Sequence, residues 1–369
     1  MTGVITLGLR ALNRATLARQ LLLQRTERSV PDVVEHLVGL QAQTPHSWYV
    51  GLWSRVAGFQ PDVAVDLITG RALVRLALMR STIHLVTASD AWRLRPLMQP
   101  VLDRDLFTNH VHGRAIRGVD VAALVEAGRE LLTQPRTSRA LGTLLNERWP
   151  DRPAATLAYA IRNQLPLVQV PPRGLWARSG PIAHVSAESW LGDERPDGAT
   201  VADVVCRYLG AFGPATVKDL QTWSGLTRLR EIVDSMDLLA LRGADGSELF
   251  DLPDAPRPDP DTPAPPRFLY DFDNLMLSYA DRSRVITDEF KRLSFRPHGP
   301  VPQAVLIDGV TAGEWTFSHT GGVAALTVRT YRSLPAATAD AVEAEAAQLL
   351  DFLAPDAEVR DVELLVVEE

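Results

Sequence analysis

Gly39-Leu40-Gln41-Ala42-Gln43-Thr44-Pro45 is the stretch of sequence that decides how this chain is interpreted. It follows residues 33–40, where valine and leucine recur at the spacing of one helix face, and Pro45 disfavours helix in the residue before it. The pattern predicts an unwinding last helical turn, from which both glutamine side chains can point into one cleft. A solvated helix cap is the alternative, because glutamine is mostly an exposed residue.

The composition is that of an ordinary soluble globular protein, with 46% apolar and 22% charged residues. A chain of 369 residues can bury a large core and form two or more domains, or one array of small units. No apolar run reaches the length needed to span a bilayer, and Met1 to Arg10 lacks a signal-peptide pattern, so we expect a cytoplasmic protein. Cys206 is the only cysteine, which excludes an internal disulfide and a cysteine-cluster metal site.

The net charge of -7 is unevenly distributed along the chain. Residues 1–120 carry fourteen arginines and nine acidic residues, whereas residues 251–369 carry ten basic and 21 acidic residues. Lys218 and Lys291 are the only lysines, so nearly all the basic residues are arginines, which can donate two hydrogen bonds to one phosphate. The distribution allows a cationic face on an acidic protein, and nucleic acid is therefore not excluded as a partner.

Three consecutive segments follow one order, in which helices precede a short β-hairpin. Winged-helix units have this order, and they usually contact duplex DNA, although some serve only protein contacts or structure. Helices are predicted at residues 14–30, 31–43 and 48–56, then at 119–132, 137–149 and 153–163, then at 199–211, 217–223 and 226–236. Hairpin strands are predicted within residues 73–87, at 165–170 and 175–178, and at 238–241 and 248–252.

The last third of the chain has a different character. Residues 254–266 are rich in proline and predict a stiff linker or domain boundary. Strands are then predicted at 267–277, 304–307, 311–318, 323–331 and 359–366, with a helix at 336–353 before the last strand. This region should form a small curved sheet or barrel, and residues 313–331 should form a hairpin with Gly321-Gly322 in its turn.

No strong catalytic or cofactor motif is present, such as a phosphate-binding glycine loop, a zinc-protease helix or a nucleophile elbow. We therefore predict no cofactor and no metal site. His110 and His112 are interpreted as a solvated pair in a loop, and His84 within the first hairpin as a satisfied, partly buried residue or a binding residue. Asp271 and Asp273 suggest paired carboxylates, but a turn or strand-end role fits them better.

Three stretches together resemble the AlkZ and YcaQ family of winged-helix DNA glycosylases. They are Gly39–Pro45, Leu78–Val86 and Phe272–Ile286, and the resemblance covers essentially the whole chain. It implies an α+β fold, with three tandem winged-helix units in a C-shape plus a C-terminal β-rich, barrel-like domain. We place these units at residues 1–118, 119–198 and 199–253, followed by the linker 254–266 and the C-terminal domain 267–369.

The resemblance also implies the activity, which is excision of N7-alkylated purines from DNA, including unhooking of interstrand crosslinks. The catalytic motif of the family is Gln-x-Gln in the branch that confers resistance to DNA-alkylating antibiotics, and Gln-x-Asp in the YcaQ branch. Gln41 and Gln43 are thus the candidate catalytic residues. An N7-alkylguanine is already cationic and leaves readily, so two neutral amides that position a water against C1′ suffice. The first unit contains no lysine, which argues against a lyase step.

The candidate DNA-contacting residues lie in two hairpins. The tip of the hairpin at 313–331 is small and polar enough to enter a groove, although an ordinary sheet hairpin is an equally good interpretation. The candidates are Arg80, Ser81, Thr82, His84, Ser318, His319 and Thr320. The expected partner is double-stranded DNA with alkylated purines or interstrand crosslinks. We expect the protein to be a monomer and to have no membrane partner. A non-catalytic DNA-binding regulator and a protein-interaction scaffold remain the alternatives.

Overall fold

A computed structural model describes residues 5–295 and 299–367, so the first four residues of the Met1 to Arg10 segment lie outside it. The α-helices are α1 (Leu9–Arg19), α2 (Val30–His36), α3 (Trp48–Trp53), α4 (Pro61–Thr69), α5 (Ala88–Leu97), α6 (Gln99–Thr108), α7 (Gly113–Ile116), α8 (Val121–Leu131), α9 (Ser138–Arg148), α10 (Ala154–Gln164), α11 (Ala187–Leu191), α12 (Val201–Phe212), α13 (Val217–Ser224), α14 (Arg230–Asp234), α15 (Asn274–Leu277), α16 (Asp288–Leu293) and α17 (Ala336–Leu353).

The strands are β1 (Thr6–Leu7), β2 (Leu40–Gln41), β3 (Leu73–Ala77), β4 (Ile83–Thr87), β5 (Arg136–Thr137), β6 (Leu167–Gln169), β7 (Ala183–Ser186), β8 (Leu239–Gly243), β9 (Glu248–Asp251), β10 (Arg267–Phe268), β11 (Gln303–Ile307), β12 (Val310–Thr320), β13 (Val323–Thr330) and β14 (Val359–Val366). The mixed α+β class predicted from the sequence is confirmed. Within the described ranges, no helix combines the length and the apolar character needed to cross a lipid bilayer.

Each predicted segment does contain helices followed by a hairpin, but the first two hairpins are not separate. They join in one six-stranded sheet of order β2-β4-β3-β6-β7-β5. The joint is antiparallel, with Arg75 opposite Gln169 and Leu76 opposite Val168. The third hairpin, β8 and β9, forms its own sheet and is extended in parallel by β1 from the start of the chain. The winged-helix assignment and the segment boundaries stay predictions.

The return strand of the second hairpin lies later than expected. It was predicted at residues 175–178, whereas β7 begins at Ala183. Residues 171–178 are taken up by a series of turns, in which Gly174 adopts a φ of +93°. The turn depends on glycine for this conformation, and a β-carbon at Gly174 would lie 2.7 Å from the Arg75 guanidinium, so the turn packs directly against the Arg75 side chain.

The C-terminal sheet is open, which corrects the expectation of a barrel-like domain. Its order is β10-β11-β12-β13-β14, and the two outer strands do not pair with each other. Helix α17 carries the chain back so that β14 adds to β13 in parallel at the far edge. The expected hairpin is present as β12 and β13, and Gly321 and Gly322 both have positive φ in its two-residue turn. Residues 267–277, predicted as one strand, form only β10 before a turn and α15.

Buried arginines tie distant parts of the chain together. Arg19 in α1 makes two hydrogen bonds to Asp251 at 2.6 and 2.9 Å, and both side chains are fully buried. Arg55, just after α3, makes two bonds of 2.8 Å to Asp273 at the start of α15, again with no exposure of either side chain. The proline-rich residues 254–266 lie against α1, where their carbonyl groups accept bonds from Arg14 and Arg19.

We expect Asp273→Asn to lower the free energy of unfolding by about 3–5 kcal/mol, because it leaves the buried Arg55 charge without its partner. Denaturant unfolding of the variant and the wild type provides the measurement. The exposed Arg148–Glu130 pair is the control, and Glu130→Gln should change stability much less. An equally small effect of both substitutions would show that the buried pair does not hold these segments together.

Candidate active site

The connection between α2 and β2 sets the position of both glutamines, and it is not the unwinding helical turn expected from the sequence. Helix α2 ends at His36, after which Val38 and Gly39 adopt positive φ values of 56° and 90°. The chain therefore reverses into β2, which pairs with β4 so that Gln41 lies opposite His84. A β-carbon on Gly39 would lie 2.6 Å from Val86, so only glycine allows this close approach to β4.

Gln41 is buried, with 4% of its surface exposed, and its polar groups are held from two sides. Its backbone N–H donates to the Asn274 side-chain oxygen at 3.1 Å. Its side-chain Oε1 accepts a hydrogen bond of 2.6 Å from Arg80 Nη2. A guanidinium can only donate, so this contact identifies the amide oxygen as the atom facing Arg80.

Gln43 is exposed and lies two residues further along the same segment. Its Oε1 accepts from the backbone N–H of Ile83 at 3.3 Å, and Ala42 between the glutamines donates to the Ile83 carbonyl group at 2.8 Å. Both glutamine oxygens are thus fixed by N–H donors from one turn and strand, residues 80–83. Each oxygen retains a second lone pair that can accept a hydrogen bond from water. Across the described residues, neither side-chain NH2 group has a hydrogen-bond partner.

Arg80 connects Gln41 to the third segment. It lies in the 3₁₀ turn Met79–Ser81 between β3 and β4 with a φ of +55°, and its guanidinium also donates to the carbonyl group of Trp223. Burial lowers the pKa of Arg80 to about 10, so the side chain is charged at neutral pH. Arg80 is half-buried, and among the described residues no carboxylate is bonded to it, which makes its charge costly to hold there. The same cation would attract a phosphate group brought close to the turn.

Two residues that sequence reasoning missed hold the backbone of the motif. Asn274 Nδ2 donates to the Gly39 carbonyl group at 2.6 Å, so its side chain bridges Gly39 and Gln41. Arg75 Nη2 donates to the Ala42 carbonyl group at 2.8 Å from within β3. The sequence did contain a signal for Arg75, because a charged residue that interrupts the apolar run Leu73–Ala77 needs a buried hydrogen-bond partner. Asn274 lies inside a stretch already recognised as family-like, but nothing in its spacing pointed to the glutamines.

Ser81 belongs to a second polar cluster that joins the first hairpin to α6 and α10. Its hydroxyl donates to Asp105 at 2.9 Å, and Arg162 donates to its backbone carbonyl group at 2.6 Å. Burial alone would raise the pKa of Asp105, but hydrogen bonds from Tyr159, Asn163 and Ser81 outweigh it and lower the pKa. This cluster fixes the turn that carries Arg80.

The last two first-hairpin candidates differ in exposure. Thr82 is half-buried and donates to the carbonyl group of Met79 at 3.0 Å, whereas His84 is 1% exposed. His84 Nδ1 lies 3.1 Å from the Thr82 carbonyl group, which accepts, so Nδ1 carries the proton of the neutral ring. Burial, with a contribution from the Arg80 charge, lowers the pKa of His84 to about 3. DNA contact by any of the four first-hairpin candidates stays a prediction.

Ser318, His319 and Thr320 are exposed at the tip of the β12–β13 hairpin. Among the described residues, no hydrogen bond joins them to the glutamines. Their role at DNA also stays a prediction. His112, one of the loop histidines, stacks on Tyr159 with the two ring centres 4.3 Å apart, and its Nδ1 is hydrogen-bonded to the Thr156 hydroxyl group.

The two aspartates near the motif have structural partners. Asp273 pairs with Arg55 and caps α15 by accepting from the Leu275 N–H. Asp271 accepts from the Thr44 hydroxyl at 2.5 Å and from the Phe272 N–H at 3.1 Å, so each carboxylate oxygen is engaged. No cluster of three metal-ligating side chains occurs in residues 5–295 and 299–367.

Comparison with known proteins places the chain in a family. The model of the AlkZ-like DNA glycosylases matches residues 34–352. An interstrand DNA cross-link repair glycosylase from Streptomyces sahachiroi is 27% identical over 329 residues, which cover 80% of this chain and 84% of that protein. The solved structure of the S. sahachiroi DNA glycosylase AlkZ superimposes with a TM-score of 0.79, covers 98% of this chain and 100% of its own, and shares 22% identity.

The chain belongs to the AlkZ-like DNA glycosylase family, as its three sequence motifs predicted. It is therefore an enzyme, a hydrolase of N-glycosyl bonds whose substrate is DNA.

Asn274→Ala should expose the motif backbone to exchange and destabilise the fold. It leaves the Gly39 carbonyl group and the Gln41 N–H without partners in a buried place, at roughly 1–3 kcal/mol for each group. We expect a matching loss of unfolding free energy, together with faster hydrogen exchange in residues 39–43. Denaturant unfolding and exchange mass spectrometry measure the two effects.

Asn146→Ala is the matched control, because Asn146 also makes two hydrogen bonds to the backbone through its side chain, donating to the carbonyl groups of Trp149 and Arg152 rather than to the glutamine segment. It should destabilise the protein and leave the protection of residues 39–43 intact at equal stability. The same exchange pattern in both variants would contradict a specific role for Asn274.

His84 should make stability depend on pH below neutrality. Its folded pKa of about 3 lies below the ordinary value of ~6.5, so the unfolded chain binds the proton more readily. The contribution of neutral His84 to the unfolding free energy is complete above pH ~6.5. It is lost as the pH falls toward 3, by up to about 1.4 kcal/mol per pH unit. His84→Asn should flatten the decline in unfolding free energy between pH 7 and 5. The exposed His110→Asn should keep the wild-type slope, and an unchanged slope in His84→Asn would exclude His84 as its source.

Proposed function

We propose that the enzyme is a monofunctional glycosylase that hydrolyses the N-glycosidic bond of N7-alkylated purines and unhooks interstrand crosslinks formed through N7. The observation that carries this proposal is the pair of neutral amides whose oxygens are fixed by Arg80 and the Ile83 N–H. The proposed product is an abasic site.

The two amides fit a reaction in which the lesion supplies the positive charge. N7 alkylation makes the purine cationic, so its departure needs no protonation by the enzyme. The developing oxocarbenium sugar needs a water held at C1′, and the free lone pairs of Gln41 and Gln43 can each accept a hydrogen bond from that water. We assign the glutamines to positioning rather than to proton abstraction, because an amide is a very weak base. Asp271, the nearby carboxylate, already accepts two hydrogen bonds.

For the architecture, we propose that the three helix and hairpin segments are winged-helix units in a C-shape, with boundaries near residues 118, 198 and 253. The duplex would lie along the first hairpin, with Arg80, Ser81, Thr82 and His84 on its side. The exposed tip residues Ser318, His319 and Thr320 would enter a groove near the lesion. A monomer suffices for this arrangement, because both glutamines come from one segment of one chain.

The biological role that we propose is self-resistance to a DNA-alkylating natural product. The relative from S. sahachiroi is described as an interstrand DNA cross-link repair glycosylase, and this chain carries Gln-x-Gln at residues 41–43. A host that makes an N7-alkylating agent needs an enzyme that removes the resulting adducts from its own DNA.

Gln43→Ala is the decisive test, because Gln43 is exposed and contributes little to stability. We expect single-turnover excision of N7-methylguanine from a duplex to fall about a hundredfold or more, with little change in DNA affinity. Gln41→Ala should have the same effect together with some loss of stability, since Arg80 loses an acceptor. Abasic sites counted after alkali treatment give the rate.

Gln348→Ala, an exposed glutamine in α17, is the control and should retain the wild-type rate. Wild-type excision by Gln43→Ala and by the double variant Gln41→Ala with Gln43→Ala would remove the catalytic assignment. The same assay separates an N7-purine glycosylase from one of other specificity, which would leave N7-methylguanine in place.

A further inference from the structure

A partly open cavity of about 360 Å³ lies beside the glutamine segment and at the base of the β12–β13 hairpin. It is lined on one side by His46 and Ser47, and on the other by Trp315 and Phe317 of β12. His46 follows Gln43 by three residues, so the two α-carbons are within about 11 Å of each other at full extension. The volume falls in the range of small-molecule sites, roughly 300–1,000 Å³.

Three large aromatic side chains contribute to the walls, and they come from separate parts of the chain. Trp315 and Phe317 are two residues apart in β12, so their side chains project from the same face of the sheet. Trp176, in the turns between β6 and β7, contributes a third ring and is supported by Tyr49 at 4.9 Å and Phe352 at 5.2 Å. Phe317 is 36% exposed, so part of its ring is open to a ligand in the cavity.

A polar atom in the wall has no partner. The Ser47 hydroxyl oxygen is buried and makes no hydrogen bond within the described part of the chain. Buried hydroxyl groups are nearly always satisfied, by protein, water or ligand. Two other polar side chains line the cavity, Gln303 and His46, and His46 Nε2 is already engaged with the Arg178 carbonyl group at 2.7 Å.

We propose that this cavity binds a planar aromatic group carried by the N7 substituent of a bulky adduct. The proposal rests on the proposed function and names the class of lesion. The N7 atom lies on the major-groove edge of the purine, away from C1′, so a substituent extends from the glutamines toward a neighbouring surface. The purine itself is a poorer occupant, because a base edge is recognised by several convergent hydrogen-bonding groups, whereas six of the nine lining residues are apolar.

Three duplexes test the proposal, each with one adduct: N7-methylguanine, N7-benzylguanine, or N7-(cyclohexylmethyl)guanine, which matches the benzyl group in bulk without an aromatic ring. In single-turnover assays, corrected for spontaneous depurination, Phe317→Ala should lower kcat/KM for the benzyl adduct about five- to tenfold. It should change the rates for the other two adducts less than about twofold. Phe317→Leu, which keeps an apolar side chain, should also lose the preference for the benzyl adduct.

Thr316→Ala is the matched control, because Thr316 is exposed on the opposite face of the same strand. It should leave all three rates unchanged. An equal loss on the methyl and benzyl adducts with Phe317→Ala would overturn the proposal, since it would place the base or the DNA itself at Phe317. No loss on any adduct would also overturn it while leaving the glycosylase function intact. If the wild type excised none of the three, the proposed function and the aromatic pocket would both be wrong.

Discussion

The geometry of the glutamines depends on an ion pair that neither of them touches. Arg55 and Asp273 are buried together, and Arg55 also donates to the backbone of Gln20 and Gly51. This network fixes the start of α15 against the first helices. Asn274 is the next residue, and its amide then reaches both Gly39 and Gln41. An electrostatic contact between segments more than 200 residues apart thereby sets the position of the candidate catalytic backbone.

The site itself is positioned mainly by positive charges and neutral amides. Arg75 holds the Ala42 carbonyl group and Arg80 holds the Gln41 amide, and burial lowers the pKa of each arginine to about 10. The positive charges of such a site disfavour binding of a free cationic base. In DNA, however, each nucleotide brings a negatively charged phosphate group. In the proposed complex, a polyanion next to Arg80 would offset part of this desolvation cost. This dependence would favour duplex binding over binding of a free alkylated base.

The sequence predicted elements whose signals are local, and it missed contacts that are not. The Gly-Gly hairpin of β12 and β13 followed from turn chemistry, and the family motifs were sufficient to identify a DNA glycosylase. The reversal at Val38 was missed because a β-branched residue at positive φ is stabilised only by surrounding structure. The pairing of β3 with β6 joins residues some ninety positions apart, and no periodicity in either strand reveals its partner. Asn274 was likewise identifiable only after α15 had been placed beside β2.

The continuous sheet from β2 to β5 restricts how the enzyme can adapt to its substrate. A hinge between the first two hairpins would have to break the hydrogen bonds between β3 and β6, so these segments move together. Under the proposed assignment of Gln41 and Gln43, a duplex whose lesion reaches them has to supply the distortion itself. Smooth bending of a short site costs roughly 1–6 kcal/mol, and less at flexible pyrimidine–purine steps. Flanking bases that no side chain reads would in this way influence how fast a lesion is excised.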